Sequence, residues 1–158
     1  MYIYFDMNIY NRIFDSQSNL RVRFESMAID IIFQMIDEGK YKLCWSFILE
    51  HENSKNPFLY RRMYINLLSK SCKTVISPDV EIKNISEKII ANSKAKIKDA
   101  LHLACAIHRN YAYFITCDDK FIRTIQKHRD LLKDCTGSIK LFNPVDFIRR
   151  GLNIDVIE

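Results

Sequence analysis

Acidic residues stand at four places along the chain where chemistry could be done. Asp6 closes a short aromatic and β-branched run, Tyr2 to Phe5. Glu50 lies one helical turn beyond Ser46, which ends a second such run, so both can face the same edge. Asp99 opens an otherwise apolar helical stretch, and Asp118 and Asp119 follow the run Tyr111 to Thr116. Taken singly, each acid reads as a helix cap or a solvated charge. Gathered at one edge, they repel. Two carboxylates about 4 Å apart oppose each other by roughly 4 kcal/mol at an effective dielectric near 20. A hard divalent cation, Mg²⁺ or Mn²⁺, relieves that repulsion, because such ions prefer oxygen ligands.

The elements that must gather these acids follow from periodicity and punctuation. Tyr2 to Phe5, Lys42 to Ser46, Tyr111 to Thr116 and Ile139 to Phe142 have strand composition, and Thr74 to Ile76 is a short further strand. Phe24, Met27, Ala28, Ile31, Ile32, Met35 and Ile36 recur at helical spacing between Asn19 and Glu38, with Gly39 as the stop. Ser46 begins a helix that Asn56-Pro57 breaks, and Phe58 to Ser69 is helical again. Ser77-Pro78 reads as a helix start with Ser as cap, the helix running to about Ala91. Lys98 to Arg109 is apolar nearly all round, hence buried. Asp118 to Leu132 is amphipathic, and Asn143-Pro144 opens a final helix that Gly151 ends. Strands alternating with helices imply a parallel sheet covered on both faces. Ligands of such sheets bind beyond the carboxyl ends of the strands, where the acids fall.

Composition narrows the class. The 158 residues suit a single domain spanning 1–158. With 3 Gly and 3 Pro, the chain is poor in the turn residues of all-β folds. No apolar run reaches 18 residues and no signal segment opens the chain, so neither membrane nor export is expected. Five cysteines without a CxxC pair suggest reduced thiols and a cytoplasmic setting. The net charge of +5 permits a polyanionic partner without requiring one.

Four segments, in order, resemble the PIN-domain nucleases. Tyr4-Phe5-Asp6-Met7-Asn8 resembles their opening strand with Asp-x-Asn. Ser46-Phe47-Ile48-Leu49-Glu50 resembles their Ser-x-x-x-Glu, Asp99-Ala100 with Ala104 their Asp-Ala-x-x-x-Ala helix start, and Thr116-Cys117-Asp118 their Thr-x-Asp. Met7 departs from the small hydroxyl residue common at that place. The resemblance implies a three-layer α/β/α sandwich with a mostly parallel sheet. It implies a metal-dependent endoribonuclease using Mg²⁺ or Mn²⁺ and leaving 5′-phosphate and 3′-hydroxyl ends. Asp6, Glu50, Asp99 and Asp118 become the acidic quartet, with Asp6, Asp99, Asp118 and Asp119 as metal ligands. Asn8 and Thr116 become residues that position the scissile phosphate. Many bacterial and archaeal members are VapC-type toxins, which adds an antitoxin protein and a homodimer to RNA as partners.

Two other readings compete. One is a PIN-like module that binds RNA or protein without cutting, which the retained acids oppose. The other is a metal or thiol site at His102, Cys105 and His108. His108 lies six residues from His102, off its face, and no second ligand cluster accompanies them. A buried, packed His102 and Cys105 is the plainer reading.

Overall fold

A computed structural model describes residues 1–151. Five strands form one parallel sheet: β1 (Tyr2–Phe5), β2 (Lys42–Ser46), β3 (Thr74–Ile76), β4 (Tyr113–Ile115) and β5 (Lys140–Phe142). Their order is β3-β2-β1-β4-β5. The chain works outward from β1 to one side through β2 and β3, then returns to place β4 on its other side. The crevice between β1 and β4 is therefore the point where the direction of winding reverses. Register brings Phe5 opposite Ile115, and Ile115 opposite Phe142. Asp6, Thr116 and Asn143 consequently leave the same edge.

Nine helices among the described residues cover the sheet. They are α1 (Met7–Arg12), α2 (Leu20–Asp37), α3 (Phe47–Ser54), α4 (Leu59–Ser69), α5 (Val80–Ser93), α6 (Ile97–His108), α7 (Asp119–Lys127), α8 (Arg129–Thr136) and α9 (Pro144–Gly151). α2 packs on α9, and α5 packs on α6 and α8. With right-handed crossovers, these two groups lie on opposite faces and make the three layers. Among the described residues, no helix is long and apolar enough to cross a membrane.

The core is aromatic at its centre. Tyr4 and Phe114 stack across β1 and β4, and Phe5, Tyr10, Phe33 and Trp45 meet edge to face. α6 is buried along Ala100, Leu103, Ala104, Cys105 and Ala106, as its all-round apolarity requires. Gly39 ends α2 with φ +79°, a conformation glycine takes without a Cβ clash.

Several expectations shift. α5 is capped by Asp79, whose carboxylate accepts from the Glu81 amide, and Ser77-Pro78 lies outside it. Asp is as good a cap as Ser, and here it is nearer the apolar run. The helix expected over 118–132 is two helices that meet at His128. α2 turns Ala28, Ile29, Ile32 and Met35 inward and leaves Phe24, Met27 and Ile31 exposed. Tyr60 and Tyr64 of α4 are exposed as well.

Glu25 of α2 is only 1% exposed. Its carboxylate meets Arg21 at 2.9 Å, Arg12 at 3.4 Å and Asn143 Nδ2 at 3.0 Å. It thereby ties α1, α2 and the start of α9 behind the carboxyl edge. Glu25→Gln removes the buried charge that Arg12 and Arg21 share, leaving them Asp15 and Asp119. It should lower unfolding stability by about 1–3 kcal/mol, read from the denaturant midpoint.

Candidate active site

Asp6 sits at the end of β1 as the N-cap of α1, 6% exposed. Its Oδ1 accepts from the Met7 amide at 2.7 Å. Its Oδ2 accepts from the Thr116 hydroxyl at 2.8 Å and from Asn8 Nδ2 at 3.1 Å. Burial raises its carboxyl above the usual range, against the lowering pull of His102 and these donors.

Thr116 and Asn8 serve this carboxylate. Thr116 is fully buried, and its hydroxyl oxygen also accepts from Asn8 Nδ2 at 2.9 Å and from the Asp118 amide at 3.1 Å. Asn8 Oδ1 accepts from the Cys117 amide at 3.0 Å. The Thr116 hydroxyl is thus fully engaged within the chain. It ties Asp6 to the turn that carries Asp118. Asn8 spends both ends of its amide on the same framework.

Asp99 lies in the first turn of α6, part-buried. Its pKa is raised to about 6, first by burial, then by the charges of Asp6 and Asp118, with His102 and Lys96 opposing. The charges of Asp6, after β1, and Asp118, before α7, are therefore felt at Asp99 across the crevice. Asp118 caps α7, its Oδ1 accepting from the Phe121 amide at 3.0 Å. Asp119 turns elsewhere. Its Oδ2 meets Arg21 at 2.9 Å and its Oδ1 accepts from Asn143 Nδ2 at 3.1 Å.

Glu50 does not join this group. It is exposed on α3, and its Oε2 accepts from the Trp45 indole at 2.8 Å. Residues two apart on a helix point about 200° apart, nearly opposite. Glu52 takes the inward direction instead. Its Oε1 lies 2.6 Å from His102 Nε2, and its charge is felt at Asp6.

His102 is 1% exposed, with Nδ1 2.7 Å from the Tyr4 hydroxyl and Nε2 3.7 Å from Asp6 Oδ1. Burial lowers its pKa, but Glu52, Asp6 and Asp99 outweigh this and raise it. Glu52 is correspondingly held below the usual carboxylate range, the hydrogen bond and charge of His102 overcoming its burial. Tyr4 also lies 2.7 Å from Ser46 Oγ. A chain of hydrogen bonds, Ser46–Tyr4–His102–Glu52, thus spans β2, β1, α6 and α3. His102 and Glu52 had no local signal as a pair, being 50 residues apart. Helix phase puts Glu50 and Glu52 on nearly opposite faces of α3, and nothing local says which of them faces in.

Among the described residues, no three His, Cys, Asp or Glu side chains stand close enough to ligate an ion as they are. His102, Cys105 and His108 make no metal cluster, and burial pushes the Cys105 thiol up to about 12. The carboxylates of Asp6, Asp99 and Asp118 nonetheless fit a divalent ion in donor type. They are hard oxygen ligands whose mutual repulsion a cation would remove.

The family model described as "PIN domain" matches residues 59–126, from α4 into α7, which takes in Asp99 and Asp118. A comparison with curated protein sequences finds no match. Solved structures match over most of the chain. VapBC2 from Rickettsia felis, bound to a DNA fragment from its promoter, has a TM-score of 0.59 at 13% identity, covering 90% of this chain and 98% of that one. FitAcB from Neisseria gonorrhoeae gives 0.56 at 15%, covering 90% and 97%. A toxin–antitoxin complex from Klebsiella pneumoniae gives 0.53 at 16%, covering 90% and 97%. The chain carries the PIN-domain family signal in residues 59–126, on an all-parallel α/β fold shared with these proteins.

Proposed function

We propose that this protein is a divalent-metal-dependent endoribonuclease and the toxin of a toxin–antitoxin pair. The observation that carries the reading is Asp99. A carboxyl raised to about 6 by burial and by two neighbouring acids, at the edge where such sheets bind ligands, is costly unless it is used. The PIN-domain match and the toxin–antitoxin complex among the structural matches support the class.

Asp6, Asp99 and Asp118 would hold Mg²⁺ or Mn²⁺, with Asp119 engaged by Arg21 and Asn143. A bound ion would supply an activated water and charge for the scissile phosphate. The chain's own residues prepare the place. Thr116, Asn8 and the Met7 amide fix both oxygens of Asp6 before any ligand arrives, so little reorganisation is left for the reaction. His102 keeps Glu52 ionised and aimed at the cluster, where it orients the attacking water by accepting its hydrogen bond. An antitoxin would cover apolar side chains that α4 leaves exposed, Leu59, Tyr60, Met63 and Leu67.

The test is a labelled mixed RNA pool incubated with pure protein in Mg²⁺, in Mn²⁺ and in EDTA. Cleavage in metal that stops in EDTA is the expected result. RNA that is bound but left whole under both metals would make the protein a binding module instead.

A further inference from the structure

A second concave surface lies along the β5 edge of the sheet, away from the acids. It encloses about 440 Å³ between Arg129, Lys140, Arg150, Tyr113, Phe142 and Phe147. Three cations line it and no acid does. Lys140 and Arg150 are exposed, and Arg150 lies over the Phe142 ring, 5.4 Å from its centroid. Arg129 is anchored at 3.0 Å to the Ile139 carbonyl, which fixes its position beside the strand.

This surface is continuous with the acidic crevice. Gln126, Phe142 and Arg150 also line the next concavity, which reaches Asp119 and Arg123. Asp119 and Arg123 in turn line the one that holds Asn8, Asp118 and Lys120. The acids along this middle stretch are already paired, Asp119 with Arg21 and Asp146 with Arg149 at 3.3 Å. The path follows α7, whose nine residues span roughly 13 Å. Cations at intervals beside partly exposed aromatic rings suit a flexible polyanion with flat bases: backbone charge for one, ring faces for the other.

We propose that single-stranded RNA runs from the acidic crevice along α7 and is held downstream by Lys140, Arg150, Tyr113 and Phe142. The proposal rests on the ribonuclease reading for its starting point, but it concerns binding alone. β5 is an edge strand, so a protein strand added to it is the competing occupant.

The experiment is anisotropy of a labelled RNA of about a dozen nucleotides, in EDTA, at salt from about 50 to 200 mM. The unmodified full chain is compared with Lys140→Glu/Arg150→Glu, both exposed positions. The variant should bind at least about tenfold more weakly, and its log–log salt slope should fall by about 1.4 for two lost contacts at ~0.7 each. Metal-dependent cleavage of a dinucleotide, too short to reach β5, should be unchanged. Affinity and slope unmoved by the variant would overturn the proposal and leave the edge to a protein strand. Weakened binding by the variant, together with no cleavage by the unmodified protein, would sink the nuclease reading while upholding the track.

Discussion

Under the proposed activity, Asp99→Asn should lower RNA cleavage by about a thousandfold or more, equivalent to roughly 4 kcal/mol of lost transition-state stabilisation. The same change should make the metal-free protein more stable. Both follow from one carboxyl that is part-buried and pressed by Asp6 and Asp118. Its pKa rises from an ordinary ~3.9 to about 6. A shift of that size corresponds to about 3 kcal/mol, which partial exposure to solvent reduces to about 1–2 kcal/mol. The sign is set by proton binding. The folded state holds this proton more tightly than the unfolded state. The group's contribution therefore favours folding fully below about pH 4 and is lost as pH rises through about 6. Asn has no proton to lose, so the variant should show a flatter stability curve between these limits. At pH 7 its melting temperature should be higher by roughly 2–8 °C. Added Mn²⁺ should reverse the comparison. At a hundred times its dissociation constant, a site-bound ion stabilises the unmodified protein by about 2.7 kcal/mol. Calorimetry in EDTA and in Mn²⁺, over pH 4 to 8, reads all of this. A variant no more stable than the parent without metal would show that the three acids do not strain one another.

Glu52→Gln and Glu50→Gln should behave as opposites. Glu52→Gln keeps the shape but loses the charge that His102 faces at 2.6 Å. Cleavage should fall by about 100-fold, the scale seen when a group that orients a metal site is lost. Its pH–rate profile should also change, because the imidazole loses its strongest partner. Glu50→Gln removes one acceptor from the Trp45 indole at an exposed position. Activity there should stay within about threefold, under 1 kcal/mol. Equal losses from both variants would mean that α3 turns differently when RNA is bound.

This pair shows where sequence reading stops. The strand ends and their acids were legible because a run such as Tyr2–Phe5 can be little else, and Asp6 must follow it at the edge. The choice between Glu50 and Glu52 was not. Both sit in one short helix, and a two-residue difference decides which face they occupy. Ser46 pointed to Glu50 by helical spacing. In the fold Ser46 instead caps α3 through the Leu49 amide and meets Tyr4, so it says nothing about which glutamate faces in. Glu25 offered only its four-residue spacing to Arg21; its burial against Arg12 and Asn143, from other segments, had no local signal. The break at His128 carries neither Pro nor Gly, so periodicity ran through it. Thr116 was legible as a residue at the strand end, but its bond to Asp6 was not, because burial is not written in a motif.

The hydrogen bond between Asp6 and Thr116 joins residues 110 apart, across strands whose pairing starts at Ile3 and Tyr113. Asp6 and Asp118 are about as far apart along the chain, so synthesis makes the first acid long before the second. At about 5–20 residues per second, a nascent chain spends several seconds with Asp6 made and nothing for it to work with. Such long-range parallel pairing is also slow to form. The acids of the crevice therefore come together late, only once β4 has been made and has paired with β1.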